Sequence, residues 1–296
     1  MESKLFIYVA LAADVGIAMT KFIAAAFTGS SAMISEGVHS VIDCINQILL
    51  LFGIKKSKKK PDAQRPFGYG RELYFWSFVV SLLLFSVGGC ISFYEGILRI
   101  KSQTLTKDEN WNYIVLAIAF VFTAISMVVT YKKFNKQRGD LSIWQAITKS
   151  KDPSVFIVLL GDFGDLAGLI VAFLGIYLGH LFHNAYYDGG ASILIGVFLI
   201  IISLLLVRES RSLLMGESVG KKTLTAIIKI TEADMDIVKV KRQFSTYLAP
   251  EEVVLQMMVV FKKNLNTTEI TDAVKRIREN IQLNFPHIKQ IFIEPD

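Results

Sequence analysis

Ionisable side chains occur inside long apolar stretches of this 296-residue sequence, where a lipid bilayer would make them costly. On insertion scales such a group costs at least about 2.5–3.5 kcal/mol at the bilayer centre, so its presence usually has a functional reason. Imidazole nitrogen together with carboxylate oxygens is a ligand set that suits Zn²⁺, Mn²⁺, Fe²⁺ or Co²⁺. The residues concerned are Asp14, Glu36, His39, Asp43, Asp162 and Asp165.

Helical spacing places the members of each group on one face. Glu36, His39 and Asp43 are related by i, i+3 and i+7, and Asp162 and Asp165 by i, i+3. If the two segments enter the membrane from opposite sides, a rise of about 1.5 Å per residue brings Asp43 and Asp165 to similar depths near the midplane. We therefore predict a cation site in which His39, Asp43, Asp162 and Asp165 meet, provided that the two helices are neighbours.

The spacing alone leaves three interpretations of this polar cluster open. Several carboxylates in a low dielectric cannot all stay ionised without a compensating cation, which favours a bound divalent metal ion. A site for protons or another cation, and an interhelical hydrogen-bond network without any ion, are the alternatives. A Cu(I) thiolate site is not expected, because Cys44 points about 100° away from Asp43 around the helix.

Other charged residues in these stretches are predicted to assist the four ligands. Asp14 is expected to line the cavity or join a proton relay, and Lys21 lies two turns away on a similar face. Lys21 is expected to pair with Asp14 or to reach an outer aqueous cavity. Glu36, nearer the outer end of its helix, either receives the departing ion or is a solvated helix start.

Composition and patterning predict a membrane protein. The chain is 52% hydrophobic and 20% charged, and its mean hydropathy is +0.46. These features exclude a secreted disulfide scaffold, a disordered chain and an ordinary cytosolic enzyme. No nucleophile–base set or phosphate-binding loop occurs, so the protein is not expected to be an enzyme. Six apolar stretches are each long enough for a transmembrane helix, at residues 5–28, 32–54, 73–98, 113–132, 154–179 and 192–207.

The distribution of Lys and Arg predicts the orientation in the membrane. Residues 55–71 and 133–151 are rich in Lys and Arg, whereas the turns after the first and fifth stretches contain neither. The positive-inside rule then places both termini in the cytoplasm. The net charge of +6 is accounted for by these topology signals, so no nucleic-acid partner is expected. We expect an integral protein of a plasma or inner membrane.

The hydropathy pattern of the sequence changes after Arg208. An amphipathic pattern, two alternating patterns, a second helical pattern and a last strand predict the order α-β-β-α-β. Such an order suits a small α+β domain with its helices on one face of a sheet. We therefore divide the chain into a transmembrane domain at residues 1–207 and a cytoplasmic domain at residues 208–296.

Several segments resemble the cation diffusion facilitator family, and they agree with it in order and spacing. The stretch GSSAMISEGVHSVIDCINQILLLFGI resembles the family's second helix, and PFGYGRELYFW resembles the start of the third. DPSVFIVLLGDFGDLAGLIVAFLGI resembles the fifth helix and YYDGGASILIGVFLI the sixth. The resemblance covers nearly the whole chain and is closest to the zinc transporter 9-like branch.

This resemblance implies a homodimeric exporter of divalent transition metals that works by proton-coupled alternating access, with a ferredoxin-like, metallochaperone-like tail. The transported ion is its only implied metal, and no cofactor is expected. His39 and Asp43 match the two ligands of the family's second helix, and Asp165 matches the last ligand of its fifth. Gly161 stands where the other fifth-helix ligand is usual, and Asp162 is the natural substitute. Zn²⁺ is the first candidate, and this departure leaves room for Mn²⁺ or Fe²⁺.

Two secondary metal sites of the family are not expected here. In the loop before the third helix only Asp62 matches, because Arg65 and Tyr69 replace the usual histidines. In the tail, His287 and the terminal acidic residues are expected to be solvated, so the tail serves dimer packing. The rival functions are a proton-coupled carrier of another cation and a membrane metal sensor that does not transport.

Overall fold

The computed structural model describes residues 5–28, 31–102, 109–139, 142–184 and 186–296. Side chains are described throughout these ranges except at 5–6, 24–25, 27–28, 31–39, 109–112, 137, 144 and 148–149. The chain forms two compact units. One comprises Met1–Lys56 with Glu72–Arg211, and the other comprises Ser57–Arg71 with Ser212–Asp296.

The first unit is helical throughout its described part. A π-helical segment, Leu84–Ile91, joins α3 to α4, so that Glu72–Ser102 is one continuous helical stretch of 31 residues. The helices are α1 Leu5–Thr28, α2 Ser31–Ser57, α3 Glu72–Leu83, α4 Ser92–Ser102, α5 Glu109–Arg138, α6 Ile143–Lys149, α7 Pro153–Phe182 and α8 Tyr186–Met215.

Within the described residues, four helical stretches are long and apolar enough to cross a membrane: Glu72–Ser102, Tyr113–Lys136, Pro153–Phe182 and Tyr186–Met215. They correspond to the third to sixth predicted spans, which confirms a helical membrane domain. The helices run beyond the predicted ends, because a helix continues past the apolar stretch into polar sequence until a cap or turn ends it. α7, for example, begins with Pro153 after Asp152, whose side chain accepts a hydrogen bond from the Ser154 N–H. The short α6 was not predicted, and Ser142 caps it.

Helix packing in this unit depends on close backbone approach at glycine. α5 packs against α1 and α7. α8 lies so close to α4 that a Cβ atom added to Gly196 would be 2.5 Å from the backbone nitrogen of Phe93. Gly96 of α4 similarly meets the backbone of Ile193. Small residues therefore allow α4 and α8 to pack as a pair, as is common for membrane helices.

The buried apolar core of this unit lies at the end of the bundle where α2 ends and α7 begins. Side chains from the first turns of α1, α3 and α7 pack there against side chains from the later turns of α2 and α8, and together they fill that end. The main members are Ile7, Leu50, Ile54, Leu73, Phe156 and Leu206.

The second unit contains a three-stranded mixed sheet with the predicted α-β-β-α-β order of elements. β1 pairs antiparallel with β2, β2 pairs parallel with β3, and β2 is central. Alternate β2 residues, among them Leu255 and Met257, are buried together with Ile277 and Ile281 of the helix Thr267–Asn284. The bounds are α9 Lys221–Glu232, β1 Ile237–Ala249, β2 Glu252–Phe261, α10 Thr267–Asn284 and β3 Ile288–Pro295.

The 57–71 loop belongs to this second unit. Phe67 makes an edge-to-face contact with Phe292, with ring centroids 6.4 Å apart. Within the loop, the Tyr69 hydroxyl donates a 2.6 Å hydrogen bond to Asp62, and the Lys59 ammonium donates one of 3.1 Å to the same oxygen. These donors, together with the Arg65 N–H, lower the pKa of Asp62 to about 2. The Asp62 carboxylate is therefore held by protein groups that fix the loop conformation.

We predict that Gly196→Ala destabilises the α4–α8 pair, because the new methyl group would meet the Phe93 backbone. Overpacking of this kind costs about 1–3 kcal/mol. The matched control is Gly190→Ala in the same helix, where a Cβ atom has open space. Thermal unfolding in detergent should give a lower midpoint for Gly196→Ala and an unchanged or higher one for Gly190→Ala. Equal midpoints for the two variants would contradict this packing.

We predict that Tyr69→Phe raises the pKa of Asp62 from about 2 toward its ordinary value of 3.8, because it removes the strongest donor to that carboxylate. Since the folded-state pKa is depressed, the stabilisation from Asp62 is present above the ordinary value and is lost as the pH falls through about 2. Carbon-13 NMR titration of labelled aspartate in the full chain measures this. Tyr94→Phe is the control, and an Asp62 titration that Tyr69→Phe does not move would refute the assignment.

Candidate metal site

A cavity of about 220 Å³ lies within the helical unit. Residues of α1, α2, α4, α5, α7 and α8 line it, so the bundle as a whole forms its wall. Its lining includes five acidic and two basic side chains: Asp14, Asp43, Glu95, Asp165, Asp188, Lys21 and Arg99. Such a density of charge inside a helix bundle indicates a site for an ion.

Asp43 and Asp165, which were predicted as ligands from different spans, line this same cavity. Asp43 reaches it from α2 and Asp165 from α7, and both side chains are half-buried. Gly164 and Gly168 of α7 also line the cavity. The two helices therefore bring two of the four predicted ligands to one space.

Asp14 lines the cavity from α1, and its accessory role stays a prediction. Its carboxylate lies within electrostatic range of Asp43, Asp162 and Lys21. α1 thus adds a third carboxylate to the pair from α2 and α7.

Asp162 is buried and faces α5, and it is absent from the described lining of the cavity. Its Oδ2 atom accepts hydrogen bonds from the Ser126 hydroxyl at 2.9 Å and the Thr130 hydroxyl at 3.3 Å. Ser126 and Thr130 are one turn apart on α5, so they form a paired donor on one helix face. Asp162 nevertheless remains within electrostatic range of Asp14 and Asp165.

His39 and Glu36 belong to α2, but their side chains lie outside the described part of the chain. Their predicted roles as ligand and accessory group therefore stay predictions. Among the side chains that are described, no three His, Cys, Asp or Glu groups are close enough together to hold a metal ion.

Sequence reasoning missed the partners that hold these charges. It did not assign Ser126 and Thr130, because hydroxyl residues in an apolar helix carry no distinctive signal. It also missed the ion pair between Arg99 of α4 and Asp188 of α8, both of which line the cavity. The available signal was the presence of opposite charges near the ends of two apolar stretches.

The cavity is displaced toward the end of the bundle where α1 ends and α2 begins. Lys21 and Arg99, near the last turns of α1 and α4, line it together with Asp188 in the first turn of α8. The opposite end is closed by the apolar core around Leu50 and Phe156. The described charged lining therefore lies toward the end of the helical unit opposite the apolar core.

Comparison with known proteins gives a match to the cation efflux transmembrane domain over residues 7–215. The mitochondrial proton-coupled zinc antiporter SLC30A9 of Homo sapiens is 29% identical over 219 residues, which are 73% of this chain and 39% of the relative. The same antiporter of Xenopus laevis is 27% identical over 273 residues, 92% of this chain and 48% of the relative. The manganese efflux system protein MneS of Bacillus subtilis is 24% identical over 285 residues, 95% of this chain and 92% of the relative.

The chain spans less than half the length of these SLC30A9 relatives. The family match nevertheless covers most of the chain, including all four apolar helical stretches and the charged cavity between them. The predicted family is therefore confirmed: this integral membrane protein belongs to the cation efflux family of transporters and is related to its SLC30A9 branch.

Proposed function

We propose that the protein exports a divalent transition-metal ion in exchange for protons by alternating access. The observation that carries this proposal is the convergence of Asp43 and Asp165, from two different helices, on one charged cavity. The names of the relatives, a proton-coupled zinc antiporter and a manganese efflux protein, favour Zn²⁺ first and Mn²⁺ second. Fe²⁺ and Co²⁺ suit the same nitrogen and oxygen ligands.

Asp43 and Asp165 bind the ion directly in this proposal, and His39, one turn before Asp43, supplies a nitrogen ligand. Since Asp43, Asp162 and Asp165 are not close enough together to hold one ion in this conformation, Asp162 is proposed to become the fourth ligand in another state of the transport cycle. Both of its α5 hydroxyl donors bond to Oδ2. Since a carboxylate offers several acceptor positions on two oxygens, Oδ1 remains for an ion while α5 fixes the orientation of the group.

Proton coupling follows from the chemistry of these ligands. Metal binding needs ionised carboxylates and a neutral imidazole, so protons that reach the cavity compete with the metal ion for the same atoms. His39 is the natural sensor, because the reference pKa of imidazole is about 6.5. Asp14 and Glu36 are proposed to pass protons to the site or receive the departing ion. The cavity lies toward the end of the helical unit where α1 ends, and the positive-inside rule places that end on the release side of an exporter.

The finer architecture is part of the same proposal. α1 and α2, with 24 and 27 residues, are long enough to be the first two of six spans. Both termini then face the cytoplasm, in a plasma or inner membrane. The domain at residues 208–296 is proposed to be a ferredoxin-like dimerisation domain, although α8 itself continues to Met215. Its helices cover one sheet face and leave Phe244 and Phe292 exposed on the other, which suits a homodimer.

We predict that Asp43→Asn and Asp165→Asn each reduce metal uptake to background, because each removes a charged ligand of the same ion. Proteoliposomes with an enclosed metal indicator and an imposed pH gradient measure uptake of Zn²⁺ and Mn²⁺. Asp272→Asn, which alters an exposed carboxylate of α10, is the control. Normal uptake by both cavity variants would refute the site, and metal binding without any uptake by the unaltered protein would favour a sensor.

We predict that Asp162→Asn abolishes uptake, whereas the double variant Ser126→Ala/Thr130→Val weakens metal binding about tenfold. The first change removes a ligand charge, and the second removes only the donors that orient the carboxylate. Metal titration and proteoliposome uptake on the same preparations separate the two effects. If Asp162→Asn transports normally, Asp162 is not a ligand.

A further inference from the structure

A lysine shares the cavity with the proposed carboxylate ligands. Asp14, Ile17 and Lys21 of α1 all line it, in agreement with their i, i+3, i+7 spacing on one helix face. Lys21 is only 7% exposed, so its side chain does not extend to the surface in the way that lysine usually does near a membrane interface.

The charges around Lys21 are those of the proposed site. Lys21 lies within electrostatic range of both Asp14 and Asp165, which in turn interact with Asp43 and Asp162. The other basic residue in the lining, Arg99, forms an ion pair with Asp188. Of the two cations, Lys21 is therefore the one whose charge acts on the carboxylates proposed to bind metal.

Buried carboxylates in one cavity repel one another, and each is poorly hydrated. An ammonium on a flexible four-carbon stem is a compact positive charge that can approach or leave them without movement of the backbone. A cation fixed to the protein and a cation from solution then compete for the same negative potential.

We propose that Lys21 is a tethered counter-cation of the metal site. Its ammonium offsets part of the carboxylate charge when no ion is bound, and a bound divalent ion displaces it. The inference rests on the proposed function and adds a specificity-determining residue to it. A divalent ion gains about twice the attraction of a monovalent one from the same carboxylates, so Zn²⁺ or Mn²⁺ displaces the ammonium more readily than Na⁺ or K⁺ does.

The presence of Lys21 also lowers metal affinity and favours release. Without the lysine, the same carboxylates would hold the divalent ion more tightly, because nothing would replace its charge when it departs. An exporter must release its ion as well as bind it. The ammonium of Lys21 gives way to the ion on binding and replaces its charge on release.

The test uses the full chain in lipid nanodiscs and in proteoliposomes, with Zn²⁺ and Mn²⁺ as probes. Lys21→Met keeps the length of the side chain and removes its charge, and Lys21→Arg keeps the charge. Lys229→Met, on exposed α9, is the matched control. For Lys21→Met we expect a Kd about tenfold lower, a lower KM and a lower kcat for uptake, and inhibition by KCl that the unaltered protein lacks.

Lys229→Met should behave like the unaltered protein, and Lys21→Arg, which keeps the charge in a bulkier group, should restore the resistance to KCl and part of the Kd difference. If Lys21 had only a structural role, Lys21→Met would lower the stability of the protein without separate effects on KM and kcat. Lys21→Arg would then not rescue the loss. Metal binding that Lys21→Met leaves unchanged or weakens would overturn the inference alone. Absence of metal binding by the unaltered protein would overturn the proposed function, and the inference with it.

Discussion

The mutual repulsion of carboxylates inside an apolar helix bundle is the constraint on which the account of this protein depends. Asp14, Asp43 and Asp165 face one cavity, and Asp162 lies within electrostatic range of it. Such a group is stable only with compensating charge, hydrogen-bond donors or bound protons. Lys21 and the α5 hydroxyls supply part of that compensation. A divalent ion can supply the rest, which is the basis for the proposal that the bundle binds a cation.

The rest of the helical unit positions this cluster and limits access to it. Glycines allow α4 and α8 to approach closely, while the apolar core around Leu50 and Phe156 closes one end. The charged lining faces the other end, where Arg99 and Asp188 pair. The match to the cation efflux family agrees with a helix bundle that holds a charged cavity.

Helical periodicity explains how much of the site could be predicted from sequence. A polar residue in a long apolar stretch points away from lipid, so Asp43 and Asp165 could be assigned to one interior space. The direction of Asp162 could not be predicted. Asp162 and Asp165 lie within one turn of α7, yet Asp162 faces α5 and Asp165 faces the cavity, and only the packing of the helices decides which carboxylate faces which side. The contact of Phe67 with Phe292 joins residues far apart in the chain and leaves no local signal.

In the proposed mechanism, Asp43 and Asp165 bind one and the same ion. A double-mutant cycle on Zn²⁺ affinity tests it most directly, with Asp43→Asn, Asp165→Asn and the double variant titrated in nanodiscs. Because removal of either ligand disrupts a shared site, the double variant should lose little more affinity than either single variant, which is strong coupling. Losses that simply add would contradict the claim and would place the two carboxylates in separate sites.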